Sequence, residues 1–259
     1  MIRREIPQAV HDLDKLPVIP IAVSAHHVHL TREVVEQLFG KGYRLTIRNL
    51  LSQTGQWASE ETVNVAGPKG DLQQIRILGP CRVANQIEIA ESEGYELGID
   101  VPSRLSGDLQ NTPVVRLRGP VGTIHTGGLI AARWHIHTNP IDAKQYALEN
   151  GEQVDVEARS MDNDFVFCSV VVRIDPSFVT EMHIDTDQAD LAHIRHGGLG
   201  ELMLTPVTGH VARIRRRTVP DVDHGQGDQF GTANNEECFL SFIDGPSCLI
   251  QVRQTHLVS

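Results

Sequence analysis

Residues 22–30 read AVSAHHVHL, and residues 130–138 read IAARWHIHT. In both stretches an apolar run ends in two histidines that are separated by one apolar residue. Each stretch is followed by a helix signal, a glycine and a new strand signal, so the two regions share one order of elements. This repetition predicts two copies of one supersecondary unit, and therefore two similar small domains.

A short helix is predicted after each histidine pair. Thr31 can cap a helix that Gly40 ends, and the apolar residues between them fall on one face. Asn139 followed by Pro140 can open a second helix, which is expected to run until Gly151. Both helices are expected to span about three turns.

The rest of the chain is rich in strand signals. Short segments of Val and Ile, often alternating with polar residues, are separated by Gly and Pro, which is typical of barrels and sandwiches. These predicted strands are 17–23, 43–47, 61–67, 74–79, 86–90, 114–119, 152–158 and 165–174. The sequence therefore predicts a mainly β fold of two small β-barrel domains with short capping α-helices.

A connector rich in Ser, Gly, Asp, Asn and Pro, residues 103–113, suggests where the two domains divide. The predicted organisation is an N-terminal extension (1–17), a first β-barrel domain (18–105), a second β-barrel domain (106–204) and a C-terminal extension (205–259). The N-terminal extension carries a short amphipathic pattern that Pro7 interrupts.

Composition limits the range of partners. The 259 residues include 23 Lys and Arg against 33 Asp and Glu, a formal net charge of −10, which disfavours nucleic acid and anionic membrane as main partners. No apolar run approaches the roughly 20 residues of a membrane helix. The four cysteines form no Cys-x-x-Cys pair and no secretory signal precedes them, so a cytoplasmic location is expected.

The histidine pairs are candidate metal ligands. On a strand, residues i and i+2 point to the same face about 6.6 Å apart, so His27 and His29 can bind one ion together, as can His135 and His137. Catalytic zinc usually has three protein ligands and one open position. Third ligands are available in Glu88 and His183, which end or interrupt apolar strands, but spacing alone does not assign either of them to a pair. The strand end at His183 is followed by a predicted helix cap at Thr186. Each histidine pair taken alone is also compatible with two ordinary surface histidines.

Longer motifs resemble those of a known family. They match, in order from about residue 18 to about 204, the phosphate propanoyltransferases, also called PduL-type phosphotransacylases. The motifs are VSAHHVHLTRE (23–33), LSQTGQWASEETV (51–63), GPKG (67–70), IRILGPCRVANQIEIA (75–90), LGIDVPSRLSGDL (97–109), LIAARWHIHTNPIDA (129–143) and EMHIDTDQAD (181–190).

The resemblance implies a phosphate acyltransferase with two zinc ions per chain, lying between two β-barrels. Such an enzyme interconverts acyl-CoA (propanoyl-CoA or acetyl-CoA) plus phosphate with acyl phosphate plus CoA. By match to the family motifs, one zinc is held by His27, His29 and Glu88, and the other by His135, His137 and His183. Arg82 falls at the phosphate-binding position. Contacts to CoA are implied for Val23, Ser24, Ala25, Lys69, Arg76 and Asp190.

Three positions depart from the family pattern. Ala25 and His26 stand where the family commonly has Asn-Arg, which removes an amide and a fixed charge beside the CoA site. Asp190 stands where Asn is expected, which adds a negative charge near CoA. His26 is expected to point away from His27, since neighbouring strand residues face opposite sides, and not to bind metal.

The chemistry suggests direct attack by bound phosphate on the thioester, without an acyl-enzyme, since Cys81 lies in an interior-type sequence and no other cysteine is suitably placed. Two alternatives stay open: a zinc-dependent acyl-CoA thioester hydrolase, and a non-catalytic component of a bacterial microcompartment. The resemblance also makes microcompartment shell or core proteins candidate partners, the compartment interior a candidate location, and a homo-oligomer a candidate assembly.

Overall fold

The computed structural model describes residues 18–159, 164–194, 198–203 and 249–252. The predicted N-terminal extension (1–17) and all but four residues of the C-terminal extension lie outside this part of the chain. The described strands are β1 (Val18–Ser24), β2 (His27–His29), β3 (Ile47–Leu50), β4 (Trp57–Ala66), β5 (Asp71–Gly79), β6 (Gln86–Glu88), β7 (Ser103–Arg104), β8 (Val115–Arg118), β9 (Thr123–Thr126), β10 (Leu129–Ala132), β11 (His135–Thr138), β12 (Gln153–Arg159), β13 (Asp164–Ile174), β14 (Glu181–Asp185), β15 (Gly198–Leu202) and β16 (Leu249–Val252). The described helices are α1 (Arg32–Phe39), α2 (Glu91–Leu97), α3 (Pro140–Gln145) and α4 (Thr186–Leu191).

The strands form two sheets, one closed and one open. Strands β11, β14, β1, β15, β12 and β13 follow one another around a six-stranded barrel, which closes because β13 also pairs with β11, and β16 adds to β13 outside the ring. The other sheet runs β7-β10-β6-β2-β5-β4-β8-β9, with β3 beside β4, and curls into a half-barrel. The predicted mainly β fold with two β units and short helices is confirmed.

Each sheet encloses its own apolar core. In the barrel, Ile19, Phe165 and Phe167 are almost fully buried, whereas Ile75 and Ile77 are buried in the half-barrel. Alternation along the strands explains both cores, since every second side chain points inward. On β1, for example, Ile19 and Ile21 are buried and the residues between and before them are exposed.

The opening stretch AVSAHHVHL passes from one sheet to the other. Strand β1 lies in the barrel, parallel to β14 and antiparallel to β15, and after two residues the chain begins β2 in the half-barrel. The second stretch makes the reverse crossing. Strand β10 lies in the half-barrel, parallel to β6, and two residues later β11 begins in the barrel. Each histidine pair therefore lies on the first strand that the chain forms after it passes from one sheet to the other.

This exchange means that the sheets do not follow the division of the chain at residues 105 and 106. The barrel takes β1 from the N-terminal half, and the half-barrel takes β8, β9 and β10 from the C-terminal half. Backbone pairing between segments that are distant in sequence decides which strands share a sheet. The composition of the connector at 103–113 carries no information about this pairing. The assignment of domains to 18–105 and 106–204 stays a prediction about the chain.

Of the two predicted helices, α1 has the predicted bounds and α3 is shorter than predicted. Helix α1 begins after Thr31, whose side chain accepts a hydrogen bond from the Val34 amide at 3.2 Å, and it ends at Gly40, as expected. Helix α3 ends at Gln145, well before Gly151, because Ala147 takes a left-handed conformation and turns the chain. None of the described helices is long and apolar enough to cross a membrane.

Two further sequence predictions are corrected by the backbone. The strand predicted at 43–47 begins only at Ile47, because the Thr46 amide donates to the side-chain carboxylate of Glu61, at 3.0 Å, and not to a backbone carbonyl of the neighbouring strand. The cap of α4 is Asp185 and not Thr186, which is the first helical residue; the Asp185 side chain accepts from the Gln188 amide at 2.9 Å.

Gly128, directly before β10, tests how closely this part of the chain packs against the segment that leads into β6. Its φ is +101°, its carbonyl accepts from the Ile87 amide at 2.8 Å, and a β-carbon there would overlap the Asn85 carbonyl oxygen. We therefore expect Gly128→Ala to lower the free energy of unfolding by about 3 kcal/mol, measured by chemical denaturation, since strain and overlap combine.

Gly151→Ala is the matched control for this substitution. Gly151 also has a positive φ, +80°, but no atom lies within 4 Å of an added β-carbon. Gly151→Ala should then lower the free energy of unfolding through backbone strain alone, by about 1 kcal/mol. Equal losses for the two variants would contradict the packing argument.

Candidate metal centre and active site

The two crossings meet at one cavity between the barrel and the half-barrel. Its volume is about 320 Å³, and both sheets contribute to its lining. All six predicted metal ligands line it: His27, His29, Glu88, His135, His137 and His183. The strand exchange explains the convergence, because β1 reaches His183 on β14 just before β2 begins, and β10 reaches Glu88 on β6 just before β11 begins.

The first triad consists of His27, His29 and Glu88. Strands β2 and β6 are antiparallel, and their register places His27 directly opposite Glu88. The Nε2 atom of His27 lies 3.7 Å from Oε1 of Glu88, and one potential ligand atom from each of the three residues lies within 4.8 Å of the others. The Glu88 carboxylate also accepts hydrogen bonds from the Ser106 hydroxyl, at 3.1 Å, and from the Gln86 amide.

The second triad consists of His135, His137 and His183. It repeats the geometry of the first, since antiparallel β11 and β14 place His135 directly opposite His183. The His135 and His183 rings stack with their centroids 5.2 Å apart, and His137 lies 4.7 Å from His183 by the same measure. The potential ligand atoms again lie within 4.8 Å of one another.

Hydrogen bonding leaves free imidazole nitrogens in both triads. The first histidine of each pair uses Nδ1 on the carbonyl two residues earlier: His27 contacts Ala25 at 2.9 Å, and His135 contacts Arg133 at 2.8 Å. Donation by Nδ1–H to a carbonyl leaves Nε2 with a free lone pair, as in metal-bound histidines. Among the described residues, His29 Nδ1 and both nitrogens of His137 are buried without a hydrogen-bond partner.

Burial lowers the pKa values of most of these imidazoles and so favours their neutral form. Burial lowers the pKa of His183 to about 3, with the His135 charge acting in the same direction. Burial likewise lowers the pKa values of His29, His135 and His137. Burial would raise the pKa of Glu88, but His27 and the other histidines hold it far below its ordinary value. Burial would lower the pKa of His27, but the Glu88 carboxylate raises it above its ordinary value. The other donors are in the protonation states that zinc binds, and three-ligand sets of imidazole and carboxylate suit that ion.

Arg82 and Arg76 add positive charge to the same cavity. Both line it, and the half-buried Arg82 guanidinium lies 3.5 Å from the Gln56 side-chain oxygen. Burial lowers the pKa of Arg82, whereas the Glu88 carboxylate raises it, and guanidinium groups stay charged in proteins. Arg76 donates to the Ser59 and Glu60 carbonyls at 3.0 and 2.8 Å, which fixes its side chain against β4.

The residues predicted to contact CoA are divided between the cavity and its surroundings. Val23, Ser24 and Ala25 line the cavity at the first crossing. Lys69, in the turn between β4 and β5, and Asp190, on α4, are both exposed and are not among the described residues of the lining. Because the cavity is at the small end of ligand pockets, part of any CoA molecule must lie outside it.

His26 lines the same cavity as the first triad but is not part of it. Its Nδ1 contacts the Glu93 carboxylate in the first turn of α2, and the described groups suited to metal binding do not include it. That His26 points to the opposite face from His27 stays a prediction, since both residues line the cavity.

Two residues at the site were missed by sequence reasoning. Glu181 is buried in the lining, and its burial raises its pKa despite a hydrogen bond from Ser52 at 3.0 Å. Arg173 ends β13 directly beside His137, with its guanidinium carbon 5.9 Å from the centre of the Phe178 ring. Glu181 and Arg173 were detectable in principle, since each ends or begins an apolar strand, which is the signal that identified Glu88.

Comparison with known proteins gives one consistent family. The family described as phosphate propanoyltransferase matches residues 20–195 of the chain. The phosphate propanoyltransferase of Thermotoga maritima is 41% identical over 199 residues, which cover 76% of this chain and 95% of that protein. That of Priestia megaterium is 44% identical over 187 residues, 72% and 86% of the two chains, and that of Salmonella typhimurium is 37% identical over 193 residues, 74% and 91%.

Proposed function

The chain belongs to the phosphate propanoyltransferase family, and on that premise we propose that it is a zinc-dependent phosphate acyltransferase. The reaction would interconvert acyl-CoA plus phosphate with acyl phosphate plus CoA. The observation that carries the proposal is the meeting of two ligand triads, one from each sheet, with the Arg82 guanidinium around one cavity.

The two triads would hold the metal ions. His27, His29 and Glu88 would bind one zinc, and His135, His137 and His183 the other; the unpartnered buried nitrogens support this assignment. When bound, zinc would polarise the thioester carbonyl and stabilise the departing thiolate, a soft ligand that suits it.

Arg82 would bind and orient the phosphate. A guanidinium offers two parallel donors that match two phosphate oxygens, and its fixed charge offsets the repulsion between phosphate and the developing oxyanion. In the forward step, a phosphate oxygen forms a bond to the carbonyl carbon, the carbon–sulfur bond breaks, and CoA leaves as the thiolate. Cys81 precedes Arg82 but is not among the described lining residues, which supports direct transfer without an acyl-enzyme.

The CoA would enter over the first crossing. Val23, Ser24 and Ala25 would contact its end nearest the thioester, and the positive charges of Arg76 and Lys69 would attract its phosphates, which reconciles an anionic substrate with a net acidic chain. Asp190 would lie near the same molecule. The small cavity fits a short acyl group, so propanoyl-CoA and acetyl-CoA are the proposed substrates.

The family membership also supports proposals about the cellular setting. A cytoplasmic enzyme that is taken into a bacterial microcompartment, with shell or core proteins as partners, would agree with the resemblance stated above. The N-terminal extension (1–17) is the candidate targeting segment. A homo-oligomer is the proposed assembly, to be measured by light scattering.

The direct test is an assay of propanoyl-CoA consumption with and without phosphate. We expect CoA release to require phosphate and to match acyl phosphate formation one for one, because phosphate is the nucleophile. Equal CoA release without phosphate would instead identify a thioester hydrolase, and no release under either condition would favour a non-catalytic component. Ping-pong kinetics or a trapped acyl-enzyme would overturn direct transfer.

A further inference from the structure

Glu181 has the same position relative to the second triad as Gln86 has relative to the first. In each case an antiparallel strand carries the third ligand, Glu88 or His183, and the residue two positions earlier lies opposite the second histidine of the pair. Register pairs His29 with Gln86 and His137 with Glu181. The two positions therefore correspond, but one carries a neutral amide and the other a carboxylate.

This difference compensates for a difference between the ligands. The first triad contains one carboxylate, Glu88, whereas the second contains three imidazoles, which carry no negative charge when they bind metal. A divalent ion on the second triad alone would leave two uncompensated charges in a buried place, which is costly in a medium of low polarity. With Glu181 beside it, the second centre would have the same net charge as the first.

The position of Glu181 fits this purpose. Its side chain is buried, and Oε1 lies 3.4 Å from Nε2 of His183, a buried nitrogen without a hydrogen-bond partner among the described residues. Its carboxylate thus borders the ligand set, and it is within reach of an ion held there.

Ser52 and Gln53 fix the carboxylate from the other sheet. The Ser52 hydroxyl donates to Glu181 Oε1 at 3.0 Å. The buried Gln53 side chain donates to the Val179 carbonyl at 3.0 Å and accepts from the Val179 amide at 3.2 Å, so it attaches the segment before β4 to the start of β14. A buried carboxylate that two segments hold in place differs from a chance neighbour of a histidine.

We propose that Glu181, positioned by Ser52, supplies the second metal centre with the negative charge that Glu88 supplies to the first. The inference rests on the proposed function, since it takes both triads as metal centres. Glu181 acts here as a positioning residue for the ion, and it raises the affinity of the second centre alone.

The test is a titration of the metal-free protein with Co²⁺, whose visible absorption reports the ligands of each ion. We expect the wild type to bind two equivalents. In Glu181→Gln, a substitution of nearly equal size, one equivalent should bind about 10- to 100-fold more weakly and with a changed spectrum, while the other is unaffected. Ser52→Ala should weaken the same equivalent by a smaller factor, and it leaves the carboxylate in place if Glu181→Gln folds poorly.

A variant that lacks a ligand of the first centre shows which of the two centres binds the weakened equivalent of Co²⁺. In His27→Ala protein only the second centre should bind tightly, and adding Glu181→Gln should weaken the Co²⁺ affinity that remains. Glu36→Gln, on α1, is the control for loss of a carboxylate elsewhere. Unchanged Co²⁺ affinity in Glu181→Gln would overturn the inference and leave the proposed function intact. A wild type that binds fewer than two equivalents would overturn the two-metal proposal and the inference with it.

Discussion

Arg82→Ala should lower kcat/KM for phosphate by about 10²–10³-fold, the loss seen when a charge-stabilising donor is removed from an active site. Arg82 lines the cavity with the two triads, and its guanidinium is the proposed partner of the phosphate. Zinc content should stay at the wild-type value, because Arg82 belongs to neither triad. The measurement is steady-state acyl phosphate formation over a range of phosphate concentrations.

Two further variants separate geometry from charge. Arg82→Lys keeps a positive charge but loses the paired donors, so its loss should be intermediate. Arg48→Ala removes an exposed arginine on β3 and should have no effect. If Arg82→Ala kept the wild-type kcat/KM for phosphate, Arg82 would not be the residue that binds phosphate.

His135→Ala should lower activity by about 10³-fold or more, since metal centres contribute several kcal/mol to such reactions. His135 has two proposed roles in the second triad: it would be a ligand, and it would hold its place opposite His183, with which it is paired across β11 and β14. We expect bound zinc to fall from two ions to one per chain, measured by elemental analysis after dialysis.

The control for this variant is His125→Ala, which removes an exposed histidine on β9. It should retain both ions and full activity. Should His135→Ala also keep two zinc ions and wild-type activity, the second triad would not be a metal centre.

Local patterns predicted the parts of the site that depend on neighbouring residues. The spacing of His27 and His29 needs only the alternation of a strand, and Glu88 was noticed because a carboxylate interrupts an apolar run. The same logic found the N-cap Thr31 and the mainly β fold, both confirmed by the structure.

Contacts between distant segments could not be predicted in this way. Spacing did not assign Glu88 and His183 to their histidine pairs, because only the register of β2 with β6 and of β11 with β14 decides it. The exchange of β1 and β10 between the sheets is equally hidden, since an apolar strand does not specify its neighbour. The hydrogen bond between Ser52 and Glu181 is hidden for the same reason, since the two residues are 129 positions apart.

The central claim is that one cavity holds two metal centres and a phosphate site. It is tested most directly by a crystal structure of the protein grown with zinc and phosphate, with anomalous scattering recorded at the zinc edge. We expect one anomalous peak at His27, His29 and Glu88, a second at His135, His137 and His183, and phosphate oxygens in contact with Arg82. A single peak, peaks at other residues, or phosphate bound away from Arg82 would contradict it.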